Sequence, residues 1–237
     1  MSDEVSIRVN FSRAMPVFPL DSVVLLPQQV MPLHIFEPRY RQMVDAALDG
    51  VGQIAMGTFQ GEGWKQEYHG NPPLRPAVCV GQIVQHEKLP DGRYNILLQG
   101  VCRAKVVDEV PPDGDRLFRE AVLEPVGVGE DGEDAPNAES LREWIDTALT
   151  EGELRRMVVA DQVRKYVENE DVPTHALLEL VSFAMLTDPA VRYRLLEEGE
   201  LEARCSLIRA GLEDLTDLIR KADAQRPDEW PKGLSWN

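Results

Sequence analysis

The side chains best suited to chemistry lie in residues 32–41, where His34 and Glu37 are three positions apart and Arg39 follows. An imidazole beside a carboxylate can act as a general acid–base pair, and a neighbouring guanidinium can stabilise an anion. The alternative is a structural corner, in which a strand ends and a helix begins at Pro38, so that Glu37 faces the positive end of that helix. We favour the structural interpretation, because the sequence shows no partner that would tune His34 for catalysis. The structural motif then comprises Pro32, Glu37, Pro38, Arg39 and Tyr40.

A second candidate is the glycine-bounded polar loop at residues 61–70, which carries Trp64 and Tyr68. Aromatic side chains on a polar loop can anchor a bound polypeptide, since Trp and Tyr dominate binding hot spots. The alternative is a lid, in which the same rings fold onto the body of the protein, and this is the commoner outcome. Our hypothetical peptide-binding set is Trp64 and Tyr68 together with His34 and Phe36.

Signatures of catalysis and of metal binding are absent from the sequence. It contains no Walker loop, no Gly-x-Ser-x-Gly, no His-Glu-x-x-His and no Ser-x-x-Lys. None of the histidines has another histidine or a cysteine at helical spacing; they are His34, His69, His86 and His175. We therefore predict a protein that is not an enzyme, with no catalytic residues, no metal and no cofactor.

The negative net charge of the chain argues against some classes of binding partner. Its 237 residues carry 41 acidic and 25 basic side chains, a net charge of −16, and residues 126–237 hold most of the excess acid. A nucleic-acid-binding protein needs a positive footprint, so nucleic acid and anionic membranes are poor partners. The longest aliphatic run, residues 23–26, is far shorter than the roughly 18 residues of a membrane span. Three widely spaced cysteines, with no leader-like N-terminus, favour free thiols and a cytoplasmic location.

The scaffold for these side chains divides into a β-rich half and a helical half. Apolar and polar side chains alternate over residues 5–11, as in a half-buried strand that either caps a sheet or joins two protomers in a homodimer. Short runs separated by turn residues favour a small barrel or sandwich. The further predicted strands are residues 23–26, 31–35, 53–59, 78–85, 94–99, 103–110 and 119–126.

Helices are predicted from apolar spacing and from their caps. One begins at Pro38 inside the β-rich half, another begins after the N-cap Asp188, and the last carries an apolar seam from Leu201 to Ile219. Two further stripes lie in residues 141–149 and 177–185, with a weaker one in residues 154–167. The predicted organisation is an N-terminal extension (1–13), a β-rich subdomain (14–126), a linker (127–137), a helical bundle (138–222) and a Pro- and Trp-containing tail (223–237).

Three blocks of sequence resemble the N-terminal domain of the ATP-dependent Lon proteases. The first comprises Phe18-Pro19-Leu20, Val23-Val24-Leu25-Leu26-Pro27 and Met31-Pro32-Leu33-His34-Ile35-Phe36-Glu37-Pro38-Arg39-Tyr40-Arg41-Gln42-Met43. The second comprises Val80-Gly81-Gln82-Ile83, Asp91-Gly92-Arg93-Tyr94-Asn95-Ile96 and Gln99-Gly100-Val101-Cys102-Arg103, and the third runs from Leu186-Thr187-Asp188-Pro189 to residue 215. The family usually has glycine where Gln28 follows Pro27, and this departure puts the turn there in question.

The resemblance implies an α+β fold, a β-rich pseudo-barrel with one embedded helix followed by an α-helical bundle. The resemblance covers residues 14–220. The chain is similar to the free-standing bacterial proteins of this family, which have no ATPase or protease module. The resemblance implies a non-catalytic substrate-recognition module that binds unfolded or exposed polypeptide segments, as an adaptor for a protease or chaperone. The alternative function is a small-molecule-binding regulatory domain that uses the cleft between barrel and bundle.

Overall fold

The computed structural model describes residues 7–65, 71–127 and 136–225, which form six strands and six α-helices. The strands are β1 (Met15–Leu20), β2 (Val30–Ile35), β3 (Gln53–Thr58), β4 (Ala77–Lys88), β5 (Tyr94–Val110) and β6 (Glu120–Pro125). The helices are α1 (Pro38–Leu48), α2 (Pro136–Thr150), α3 (Ala160–Val167), α4 (Thr174–Met185), α5 (Pro189–Glu197) and α6 (Leu201–Ala224). The α+β fold class is confirmed.

The six strands form one mixed sheet that closes on itself. Their order is β2-β5-β4-β3-β1-β6, and β6 also pairs with β5, so that five strands complete a circuit and β2 lies outside it. The β1–β3 pairing is parallel and the others are antiparallel. The long strand β5 makes this closure possible, because its first half pairs with β2 and its second half with β6. The predicted pseudo-barrel is therefore present.

Alternating side chains of the barrel strands enter two separate hydrophobic clusters. Ala55 and Val78 belong to a cluster drawn from all five strands of the circuit, which fills the barrel interior. Their neighbours Met56 and Cys79 belong to the larger cluster outside the barrel, which also contains residues of α1 and of the helical half. Successive side chains of a strand point to opposite faces, so a strand covered on both sides is buried at every position. This explains why every residue of β3 is buried.

The structure corrects three strand predictions. Residues 23–26 form no strand, although Val24, Leu25 and Leu26 are buried in the outer cluster. Residues 94–99 and 103–110 are one continuous strand, β5. The sequence pattern also missed β1, since Pro16 and Pro19 are untypical of a strand interior.

The N-terminal strand prediction is wrong for the part that the structure describes. Residues 7–11 form no strand, but Val9 and Phe11 pack against the barrel-interior cluster. Residues 5 and 6, the tail from residue 226 onward and most of the predicted linker lie outside the described residues. The predicted domain boundaries stay a prediction, and the outer cluster draws residues from both halves of the chain.

The helical half follows its predicted pattern closely. The stripe of Leu141, Ile145 and Leu149 on α2 is buried, and Asp188 caps α5 by accepting hydrogen bonds from the backbone of Ala190 and Val191 at 2.7 and 3.2 Å. The weaker stripe divides into a 3₁₀ turn, Glu153–Arg156, and α3. Within the described ranges, no helix is both long enough and apolar enough to cross a membrane.

A buried ion pair joins the barrel to the helices. Arg103 of β5 lies 2.7 Å from the carboxylate of Glu179 on α4, and its Nε donates to the carbonyl of Leu195 at 2.9 Å. The backbone N–H of Ala77 donates to the hydroxyl of Tyr193 on α5 at 2.8 Å. These bonds fix the helical half against β4 and β5.

Candidate polypeptide-binding surface

The edge strand β2 has an open backbone edge that another strand could pair with. Within the described ranges, β2 pairs with β5 alone, so its outer backbone edge has no strand beside it. The side chains of Val30, Pro32 and His34 are exposed, whereas Ile35 is buried. Pro32 has no N–H to donate, which is tolerated at the edge of a sheet and not in its middle. The alternation thus turns one face of β2 to the core and the other to solvent.

The exposed face continues from β2 across β5 to β4 as a shallow cleft of about 360 Å³. The register places His34 opposite Asn95 and Asn95 opposite Glu87, so these three side chains share one face. The residues that line the cleft are Pro32, Leu33, His34, Gln85, His86, Glu87, Asn95, Ile96 and Leu97. The cleft therefore combines an apolar floor with a polar row.

A chain of hydrogen bonds orients His34 at the centre of this row. Arg93 Nη1 lies 3.3 Å from His34 Nε2, His34 Nδ1 lies 2.7 Å from Asn95 Oδ1, and Asn95 Nδ2 donates to Glu87 Oε2 at 3.2 Å. A guanidinium can only donate, so Nε2 accepts and Nδ1 carries the proton. Because both ring nitrogens are engaged in this way, the imidazole of His34 is held in a fixed orientation.

The surrounding charges are paired with one another. Arg93 forms an ion pair with Asp91 at 2.6 Å, and its hydrogen bond lowers the pKa of that carboxyl below the ordinary range. Lys88 pairs with Asp45 at 2.9 Å. Since these charges neutralise each other locally, the carboxylate of Glu87 is the acidic group among the described lining residues of the cleft.

Phe36 extends the apolar part of the surface beyond the end of β2. Its side chain is 61% exposed, and its ring stacks against His34 with centroids 6.3 Å apart. A large exposed aromatic ring next to an open sheet edge can serve as an apolar anchor for a bound segment. The structure thus brings together His34 and Phe36, two of the four residues in the predicted peptide-binding set.

The structure places Trp64 elsewhere, at the barrel interior. Its ring stacks on Phe59 with centroids 5.3 Å apart and packs against the barrel-interior cluster. This arrangement is that of a lid, the alternative considered from the sequence. Tyr68 lies outside the described residues.

His34 and Glu37 do not form the acid–base pair considered from the sequence. Glu37 accepts a hydrogen bond from Arg39 Nε at 3.0 Å, and its backbone carbonyl accepts from the first turn of α1. Tyr40 packs its ring edge-on against Phe18 at 4.7 Å. The motif around Pro38 is therefore a structural corner, with Pro38 as the first residue of α1.

Sequence reasoning missed the residues that β4 and β5 contribute to the surface. Asn95 is 61 positions from His34, and Glu87 is eight positions from Asn95 across a hairpin. The one signal available was the turn at Asp91-Gly92, where Gly92 has a φ of 82°. A predicted hairpin places Glu87 and Asn95 near each other, but it says nothing of the strand that pairs on the other side.

A second cleft, of about 370 Å³, lies between barrel and bundle. It is lined by apolar residues of the N-terminal segment and by Cys102, Arg103, His175, Glu179 and Arg204. Its charged groups bind one another, because Arg103 pairs with Glu179, and Arg204 Nε lies 3.9 Å from the same carboxylate. These side chains consequently serve the joint between the two halves.

Comparison with protein families gives one match that spans most of the chain. Residues 14–213 match the ATP-dependent protease La (LON) substrate-binding domain. Lon protease 2 of Herpetosiphon aurantiacus is 25% identical over 218 residues, and the Lon protease of Escherichia coli is 25% identical over 224. These alignments cover 92% and 93% of the chain but 25% and 26% of the two relatives, so the chain spans about a quarter of their length.

Two solved structures share the fold. The N-terminal domain of the Lon protease of the Mycobacterium avium complex superposes with a TM-score of 0.64 at 19% identity, covering 85% of this chain and 99% of that structure. The Lon N-terminal domain protein of Xanthomonas campestris has a TM-score of 0.56 at 21% identity, covering 84% and 98%. At these identities the likeness concerns the fold.

Proposed function

The chain belongs to the Lon substrate-binding domain family, and from this premise we propose that it is a non-catalytic module that binds exposed polypeptide segments. The observation that carries the proposal is the open edge of β2, flanked by the exposed side chains of Val30 and Phe36. A bound peptide would add a strand to this edge through its backbone and rest its side chains on the apolar cleft.

The charge of the chain sets the preference among clients. A net charge of −16 repels acidic segments, so binding favours neutral apolar or basic ones. Affinity for basic segments falls as salt rises, because salt screens the long-range attraction. Affinity for neutral apolar segments changes little.

The test is fluorescence anisotropy with labelled, C-terminally amidated apolar peptides and with unfolded casein. Phe36→Ala is expected to weaken binding about tenfold or more, since a large aromatic anchor contributes on the order of 1.4 kcal/mol or more. Val158→Ala is the matched control, because Val158 is an exposed apolar residue that lies in the helical half. Equal affinity of Phe36→Ala and the wild type would show that this surface is not used.

Trp64→Ala distinguishes the two aromatic sites of the sequence hypothesis. As a lid residue stacked on Phe59, Trp64 is expected to affect thermal stability and to leave peptide affinity unchanged. A loss of peptide affinity with an intact fold would move the site to the loop.

Incubation with ATP and casein is expected to yield no nucleotide turnover and no cleavage, since the sequence has no nucleophile or nucleotide-binding motif.

The proposal extends to an adaptor role, in which the protein delivers its clients to a protease or chaperone in the cytoplasm. Free thiols at Cys79, Cys102 and Cys205 support a reducing compartment. A pull-down with the wild type and with Phe36→Ala, followed by mass spectrometry, separates clients of the surface from a partner enzyme. Clients are expected to be lost in the variant, whereas a partner enzyme that binds elsewhere is retained.

Small-molecule regulation through the cleft between barrel and bundle is the second candidate. Its supporting observation is the size of that cleft, about 370 Å³, which falls within the range of ligand pockets. A thermal-shift screen of small metabolites tests it. A ligand whose stabilising effect disappears in His175→Ala would support regulation there.

A further inference from the structure

A third cleft, of about 300 Å³, lies where the start of α1 meets β1 and the segment before β6. Two arginines line it, Arg39 from α1 and Arg119 from the residue preceding β6, together with the rings of Tyr40 and Phe118. None of its described lining residues is acidic, although the chain as a whole has a net charge of −16. The sequence drew attention to Arg39, and the polypeptide-binding surface does not use it.

Arg119 is buried in this cleft with part of its hydrogen-bonding capacity unused. The residue is 6% exposed, and its Nη1 donates to the carbonyl of Pro72 and to Glu109 Oε2, both at 2.9 Å. Within the described part of the chain, Nε and Nη2 have no acceptor. The side chain is held in place by these bonds, and its two nitrogens without an acceptor belong to a guanidinium that lines the cleft, so they can donate to an anion that enters it.

The unused nitrogens form the side of the guanidinium that suits a carboxylate. Nε–H and one Nη2–H point in parallel, and a carboxylate can accept both with its two oxygens. Arg39 adds a second positive charge on the lining, at the second position of α1, where the helix dipole also favours an anion. The neighbouring carboxylates of Glu37 and Glu109 each accept a hydrogen bond from one of these arginines.

Apart from Asn71, the other described lining residues are apolar or aromatic. Tyr40 and Phe118 are both buried, and Leu117 closes one side. We propose that this cleft binds a carboxylate attached to a small apolar body, with Arg119 as the bidentate anion-binding group and Arg39 as the supporting charge. Such a ligand is either a free small acid or the C-terminal residue of a polypeptide, and the second source rests on the proposed function.

The test uses isothermal titration calorimetry with N-acetylleucine, with its amide and with inorganic phosphate. N-acetylleucine is expected to bind one to one, and the amide and phosphate at least tenfold more weakly, because each lacks either the charge or the apolar body. Equal binding of acid and amide, or no binding of the acid at millimolar concentration, would overturn the proposal. Phosphate that binds as tightly as the acid would overturn the role of the apolar walls.

Variants assign the binding to the two arginines. Arg39→Gln is expected to weaken N-acetylleucine binding at least tenfold, and Arg119→Lys similarly, with circular dichroism as a check that Arg119→Lys folds. Glu109→Gln is the matched control: it removes a neighbouring negative charge and keeps Arg119, so binding stays equal or tightens. Unchanged affinity in Arg39→Gln together with a folded, fully binding Arg119→Lys would refute the assignment.

Peptides distinguish the two sources of the carboxylate. A peptide that ends in leucine with a free C-terminus is expected to displace N-acetylleucine, whereas its amidated form is not. Failure of the free peptide to displace it would refute recognition of chain termini and assign the cleft to small acids. Binding of amidated peptides is expected at the β2 surface and should be weakened by Phe36→Ala. The two sites are therefore tested independently.

Discussion

At the scale of single residues, Gln28 has a left-handed backbone conformation, with a φ of 66°. Its N–H donates to the carbonyl of Gly100 at 2.9 Å, so the turn after Pro27 is fixed against β5. A side chain in this conformation costs about 1–2 kcal/mol, which glycine avoids. Gln28 thus adopts a backbone conformation that favours glycine, and the hydrogen bond to Gly100 holds the turn.

Gln28→Gly is expected to raise the free energy of unfolding by about 0.5–1 kcal/mol, because relief of strain exceeds the extra freedom of the unfolded chain. Urea unfolding measures the change. Gln29→Gly is the matched control and is expected to lower stability, since Gln29 Oε1 accepts a hydrogen bond from the backbone of Leu26 at 3.1 Å. A destabilised Gln28→Gly protein would show that its side chain contributes more than its backbone costs.

The three cysteines are predicted to react slowly in the native protein. Burial raises the pKa of the Cys102 and Cys205 thiols to about 11 and that of Cys79 higher still. At pH 8 a thiol with a pKa of 11 is ionised in about one molecule per thousand, and the thiolate is the reactive form. Ellman's reagent should label the native protein slowly and three thiols rapidly in guanidinium. Rapid native labelling of one equivalent would indicate local opening at that cysteine.

At the scale of elements, α1 is fastened to the barrel by Asp45. Its carboxylate accepts hydrogen bonds from the hydroxyl of Tyr94 and from Lys88, and the Tyr94 bond is the main cause of its lowered pKa. Because the folded pKa lies below the ordinary 3.8, the charged form stabilises the fold at neutral pH. This contribution is present above pH 3.8 and is lost as pH falls through the folded value.

Tyr94→Phe is expected to lower stability at pH 7 and to have a smaller effect at pH 3, because below the ordinary value of 3.8 the unfolded chain binds a proton at Asp45 and the contribution of the lowered pKa declines. Urea unfolding at the two pH values measures this difference. Tyr166→Phe, at a half-exposed tyrosine of α3, is the control and should show no such dependence. An equal loss at both pH values would mean that Tyr94 acts through packing alone.

Helix α6 carries the apolar seam that the sequence predicts. Leu212 is completely buried, whereas Leu218 on the same helix is 62% exposed. Leu212→Asp is expected to cost several kcal/mol and to unfold the helical half, because it buries an unpaired charge. Leu218→Asp should change the melting temperature little. An unchanged melting temperature for Leu212→Asp would mean that the seam faces solvent.

At the scale of the whole molecule, barrel and helices share one hydrophobic cluster and the buried pair of Arg103 with Glu179. Glu179→Gln is expected to cost about 3–5 kcal/mol, since it leaves Arg103 buried without its counter-charge. Hydrogen exchange should show β4 and α4 losing protection together. Glu213→Gln breaks an exposed pair with Arg209 and should cost at most about 1 kcal/mol. Separate unfolding of β4 and α4 would instead support two independent subdomains.

Helices and strands that are marked by caps or by a short apolar period could be predicted from the sequence alone. The caps at Pro38 and Asp188 and the seam on α6 predicted three helices, because caps and a 3.6-residue period depend on residues a few positions apart. The short strand-like run at residues 94–99, bounded by turn residues, identified part of β5 for the same reason. The resemblance of three blocks then predicted the family and the α+β fold, both of which are confirmed.

The contacts between those elements could not be predicted, because they join residues that are far apart in the sequence. An apolar run such as residues 23–26 looks the same in a strand and in a buried segment that forms no strand. In the folded protein it forms no strand and packs over Gly100, where an added Cβ atom would lie 2.1 Å from the carbonyl oxygen of Leu26. The partner of His34 lies 61 positions away, and that of Arg103 lies 76 positions away. Such pairs depend on how the sheet closes and how the helices dock onto it, which no local period of the sequence records.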